Sequence, residues 1–216
     1  MKKAVIFDLD GTLTDTLDSI KISGDKTLEK FGMGPFSKEQ YKYFVGEGAA
    51  KLVERCLIEG GDQKLSLFEE TYEEYKKVLE EYCMYHVIPY NGITELLSDL
   101  RKKGVKTAVL SNKPHERVCD VISFIFGEEC FDVILGQTEG IKRKPSPEGV
   151  FTILERLGLT ADQILYLGDT GTDMQTGKAA GAFTVGALWG YREKKELLEN
   201  HADAMIENPM KLLDYL

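Results

Sequence analysis

Short apolar runs recur along the chain, most of them followed by a polar turn and a stretch with helical periodicity. The runs lie at residues 4–9 (AVIFDL), 105–110 (VKTAVL), 131–135 (FDVIL), 164–167 (ILYL) and 183–185 (FTV). They are rich in β-branched residues and apolar on both parities, the pattern of strands covered on both faces. Helical patterns fill 93–103, 115–126, 147–157 and 173–180. Strand and helix in alternation predict an α/β fold, a Rossmann-like parallel sheet with helices on both faces and right-handed crossovers. Residues 16–86 break this rhythm. No strand pattern occurs there. Leu65, Phe68, Tyr72, Tyr75, Leu79 and Tyr82 form a stripe at helical spacing. The pattern predicts a small all-helical cap domain, 16–86, inserted after the first strand of a core made of 1–15 and 87–216. The stripe packs inside that unit. A coiled-coil seam is the weaker alternative, because the run stops after about three heptads. Hinges fall at 14–16 and 87–91.

Composition narrows the partners. The 216 residues are 43% hydrophobic, enough for a sizeable core, and carry a formal net charge of -9. An acidic chain is a poor match for nucleic acid or an anionic membrane as main partner. No apolar run approaches the ~20 residues of a membrane span, and the opening MKKAVIFDLDGT lacks a signal-peptide pattern. Cys56, Cys83, Cys119 and Cys130 form no C-x-x-C pair and read as reduced thiols. The expectation is a soluble, cytoplasmic protein, monomeric for want of an apolar tail. If its ligand is an anion, some local group must reverse the sign of the field.

Four polar motifs sit at strand ends. Asp8 and Asp10, in D-L-D-G-T, are two apart in an extended chain and so start on the same side. They fall at the carboxyl end of the sheet, where open α/β folds bind ligands. Gly11 permits a sharp turn there. A solvated turn of capping acids is the alternative; an EF-hand and a P-loop fail on spacing. Ser111-Asn112-Lys113 ends the second core run, where a hydroxyl and free N–H groups at a helix start can hold phosphate, although a serine N-cap explains it as well. Lys144 stands in the densest basic cluster, followed by Pro145. Gly168-Asp169-Thr170-Gly171-Thr172-Asp173 repeats the pattern of acids after a strand, as a capping turn or a metal site.

Taken together and in this order, the four motifs resemble those of the haloacid dehalogenase superfamily of phosphohydrolases. The likeness covers the whole chain. The helical insert resembles that superfamily's small helical cap. The DLDGTL opening and Phe44-Val45-Gly46-Glu47-Gly48 are similar to the phosphoglycolate phosphatase group, with Thr14-Asp15-Thr16 a mild departure. The resemblance implies a Mg2+-dependent phosphatase of small phosphomonoesters, phosphoglycolate first among them. Asp8 is then the nucleophile that carries an aspartyl phosphate, and Asp10 the general acid and base. Lys144 offsets their charge. Ser111 and Asn112, with Gly11 and Thr12, hold phosphate. Asp8, Asp169 and the Asp10 carbonyl ligate the metal, with Asp173 behind them.

The residue types agree with that reading. An ordinary Asp is ionised at neutral pH and can attack phosphorus without a helper base. Like charges ~4 Å apart cost about 4 kcal/mol at an effective dielectric of 20, so converging carboxylates call for a hard divalent cation. In the cap, Asp15, Thr16, Gly46, Glu47, Gly48, Lys51 and Arg55 are candidates for substrate contact; capping, a plain turn and a solvated face are their alternatives. His86 and His115 need no role. A sugar-phosphate mutase and a phosphonate hydrolase, the latter with Lys51 as Schiff base, are rivals on the same scaffold. A phosphorylation-switched binding domain is the rival of another class.

Overall fold

The computed structural model describes residues 1–216. Its main sheet has six parallel strands in the order β5-β4-β1-β6-β7-β8. These are β1 (Ala4–Phe7), β4 (Lys106–Pro114), β5 (Val133–Gln137), β6 (Ile164–Gly168), β7 (Phe183–Ala187) and β8 (Ala204–Ile206). The apolar residues on both parities have separate destinations. Val5, Phe7, Leu165 and Leu167 join Ile93 and Leu96 in one layer. Ala4, Ile6, Ile164 and Tyr166 join Val150 and Ile153 in the other. The period-2 alternation of a strand thus fills two helical layers at once. Strand β1 lies in the middle, so the residues that follow it are flanked by the ends of β4 and β6.

The helices of the core are α5 (Ile93–Lys102), α6 (His115–Phe126), α7 (Glu148–Leu157), α8 (Gly171–Ala180) and α9 (Lys194–Glu199). Between β1 and α5 come α1 (Leu17–Glu29), α2 (Lys38–Phe44), α3 (Ala49–Glu59) and α4 (Phe68–Tyr82). These four bury their own cluster, including Ile20, Leu28, Tyr41, Leu57, Tyr75 and Leu79, and Tyr191 enters it from beyond β7. Ser37 and Gln40 start α2 with a reciprocal capping box. The chain enters and leaves the helical unit through a two-strand antiparallel ladder, β2 (Thr14–Asp15) against β3 (Ile88–Pro89). None of the helices is long and apolar enough to cross a membrane.

Some boundaries differ from the sequence expectation. Strand β4 runs four residues further than its apolar pattern. A residue before proline is disfavoured in the helical region, so Pro114 keeps Lys113 extended, and α6 starts at His115 as its pattern predicts. Ser111 therefore neither caps a helix nor opens one. The stripe from Leu65 to Tyr82 starts outside α4: Leu65 has a φ of 55° and packs on the cluster from the preceding turn. Helix α9 and strand β8 have no counterpart in the predicted elements, being six and three residues long.

Candidate active site

The turn after β1 is fixed by its own backbone. The N–H groups of Leu13 and Thr14 both donate to Leu9 O at 3.0 Å, and Gly11 N donates to Thr14 O at 2.9 Å. Gly11 holds a φ of 91°, and a Cβ there would lie 2.5 Å from Asp169 Oδ2. The position needs glycine for its conformation and for the close approach of Asp169. Gly190 does the same on the other side, where a Cβ would fall 2.2 Å from that of Asp169.

Asp8, Asp169 and Asp173 each offer a carboxylate oxygen within 4.8 Å of the others, and all three residues are buried. Lys144 reaches this group from the loop before α7. Its ammonium donates to Asp8 Oδ1 and to Asp173 Oδ1, both at 2.7 Å. The other Asp173 oxygen accepts from the Thr170 hydroxyl at 2.6 Å, so Asp173 is fully engaged in starting α8 and orienting Lys144. Asp169 accepts from the Thr12 hydroxyl at 2.9 Å and from Tyr191 N at 2.7 Å. Asp8 Oδ2 accepts nothing from the protein, and Asp8 lines a cavity between the core and the helical unit.

Charge within this group is out of balance. Were all three carboxylates ionised, one ammonium would leave about two negative charges unmet in a buried site. Burial, then Asp173, lift the Asp8 carboxyl well above the usual carboxylate range, against the pull of Lys144. Burial, then Asp173, push Asp169 up to about 7. Asp173 and Asp8 outweigh burial at Lys144 and hold its ammonium firmly charged. A cluster of hard oxygen donors with an unmet charge of this size fits a divalent cation such as Mg2+.

Asp10 sits beside the cluster in a different setting. Its Oδ1 accepts from the Thr16 hydroxyl at 2.6 Å and from Lys113 Nζ at 3.0 Å. The Tyr191 hydroxyl lies 3.1 Å from the Thr16 hydroxyl and accepts from Thr16 N at the same distance. Tyr191 thereby touches the surroundings of both Asp10 and Asp169.

The sequence-predicted residues divide into those the fold brings to the cavity and those it uses elsewhere. Asp8, Asp10, Ser111 and Lys144 line it from the core, with Gly46 and Gly48 from the helical unit. Gly11 and Thr12, expected on phosphate, are spent instead on the turn and on Asp169. Asn112 also lines the cavity, but its side chain braces the backbone. It donates to Gly46 O and Lys144 O at 3.1 Å and accepts from Lys144 N at 2.8 Å. Asp15 accepts from Leu17 N at 3.1 Å at the start of α1. Glu47 pairs with Arg55, whose guanidinium also donates to the carbonyls of Tyr43 and Phe44 at the end of α2. Lys51 pairs with Glu54 at 2.6 Å, so no lysine of the helical unit faces the cavity. These local partners claimed the charges that the pattern aimed at substrate.

Three residues had no assigned role in the sequence. Lys113 lines the cavity and is buried. Tyr191 and Arg192, in the loop after β7, join the core to the helical unit; Arg192 donates to Val45 O at 2.9 Å and to Lys42 O. No periodicity marks such loop positions.

Comparison with known proteins gives a consistent likeness. The model of a family described as haloacid dehalogenase-like hydrolase matches residues 5–187. A phosphoglycolate phosphatase from Aquifex aeolicus (strain VF5) is 32% identical over 98% of this chain and 97% of its own length. One from Pseudomonas putida is 30% identical over 99% of this chain and 79% of its own. A crystal structure from Lactobacillus delbrueckii subsp. bulgaricus is 30% identical, with a TM-score of 0.91 over 100% of this chain and 98% of that one.

Proposed function

The chain belongs to the haloacid dehalogenase-like hydrolase family and is a phosphatase of phosphoglycolate phosphatase type, and from that premise we propose that it hydrolyses phosphoglycolate with Mg2+, through an aspartyl phosphate on Asp8. The observation that carries this reading is the divided Asp8 carboxylate: one oxygen is fixed by Lys144, the other accepts nothing from the protein, and the residue lines the cavity. A carboxylate so held can meet phosphorus with little loss of orientation. In the first step Asp8 Oδ2 bonds to phosphorus, the ester P–O bond breaks, and the departing oxygen takes a proton from Asp10. In the second, water gives a proton to Asp10 and its oxygen attacks the phosphoryl group, releasing inorganic phosphate and restoring Asp8.

Asp8, Asp169 and the Asp10 carbonyl would hold the metal, with Asp173 behind them. Bound there, Mg2+ supplies positive charge against the carboxylates and the transferring phosphoryl. Ser111 offers a hydroxyl to the phosphoryl oxygens from the end of β4. Segment 16–86 acts as a lid on the core of 1–15 and 87–216, and its apolar wall excludes bulk water.

Phosphate release from phosphoglycolate, measured with Mg2+ and after chelation, tests the proposal. Turnover with Mg2+ that falls at least ~100-fold in chelator is expected. Equal rates in both conditions contradict it.

A further inference from the structure

The cavity holds two ammonium groups. Lys144 is committed to Asp8 and Asp173. Lys113 is bonded once, to Asp10 Oδ1 at 3.0 Å, and an ammonium has three donors. Its side chain is only 4% exposed, so an idle charge there would be costly without a further partner. Ser111 and Lys113 both line the cavity from the end of β4, where the strand's register shifts after Leu110. The lysine is the longer of the two.

The opposite wall offers no charge. Ile20, Val45, Leu52, Tyr75 and Leu79 form it, while Lys51 and Arg55 are paired away with Glu54 and Glu47. A substrate that carries an anionic group besides its phosphate has one available cation inside this cavity. We infer that Lys113 is the specificity residue of the site: its free donors bind a carboxylate attached directly to the ester carbon. The substrate class is therefore short 2-phosphorylated carboxylates. This rests on the phosphatase reading above, and it adds that selection comes from the core strand that also carries Ser111, with the lid contributing an apolar wall.

A matched pair of substrates tests it. Phosphoglycolate and ethyl phosphate share the two-carbon chain and the ester bond, and only the first has a carboxylate. For Lys113→Met, the ratio of kcat/KM for phosphoglycolate to that for ethyl phosphate is expected to fall by about 10- to 100-fold. The loss should lie mainly in KM for phosphoglycolate, and Lys113→Arg should restore part of it, since a guanidinium also pairs with carboxylate. If Lys113→Met lowers both substrates by the same factor, the residue acts only through Asp10 and the inference fails. If it lowers neither, the inference fails as well. Should the unaltered protein release phosphate from neither ester, the phosphatase reading falls and takes this inference with it.

Discussion

Asp8→Asn is expected to lower turnover by on the order of 10⁴-fold or more while the fold stays intact. An amide has the shape of a carboxylate and can still accept from Lys144 at the Asp8 Oδ1 position. It cannot attack phosphorus. The thermodynamic side has a definite sign. Burial and Asp173 raise the Asp8 carboxyl above its unfolded value, so its ionised form costs stability at any pH above the unfolded carboxylate range. A neutral residue removes that cost. The variant should therefore unfold at the same temperature as the parent or a higher one in the absence of Mg2+. Steady-state kinetics and thermal melts measured on one preparation separate the two effects. A variant that is both inactive and markedly less stable would show that Asp8 holds the fold instead of reacting.

Lys144→Met should be the most destabilising single change in the site. It leaves Asp8 and Asp173 without their ammonium, and removing one partner from a buried ion pair costs about 3–5 kcal/mol. The cost depends on pH. Without Lys144 the folded carboxylates hold protons to a higher pH, whereas unfolded ones ionise near the ordinary value. Stability is then lost as pH rises from the unfolded carboxylate range to the raised folded value of Asp8, which Lys144 no longer pulls down. Denaturant titrations of the variant should show a larger deficit at about pH 8 than at about pH 5. An equal deficit at both values would place the effect in packing, because the methionine side chain fills the same space without the charge.

The central strands and the gathering of polar residues at their ends were legible in the sequence for one reason. Buried parallel strands are apolar on both parities, so Asp8, Ser111 and Asp169 stand out where such a run ends, and the fold returns those ends to one rim. Lys144 was legible from its order among the other motifs. Local competition hid the rest. Arg55 and Lys51 sit on helix faces that could address a ligand, but Glu47 and Glu54 lie within reach and pair with them first. Thr12 and Asn112 carry the right groups for phosphate, yet Asp169 and the Lys144 backbone take those groups. Lys113 stands between Asn112 and Pro114; the proline marks it as extended, but nothing in its neighbours told that the fold would bury it at the cavity. Tyr191 and Arg192 reach across from an irregular loop, which no period can reveal. Helix α9 and strand β8 are too short to impose one.

Mapping the site of phosphorylation in Asp10→Asn addresses the chemistry most directly. The substitution keeps an oxygen to accept from Thr16 and Lys113 while removing the carboxyl group that the proposed mechanism uses to pass protons. Incubated with phosphoglycolate and Mg2+, the variant should gain the mass of one phosphoryl group, located by peptide mapping on Asp8 and discharged slowly. An unmodified chain, or a phosphoryl group found on any other residue, would contradict the account.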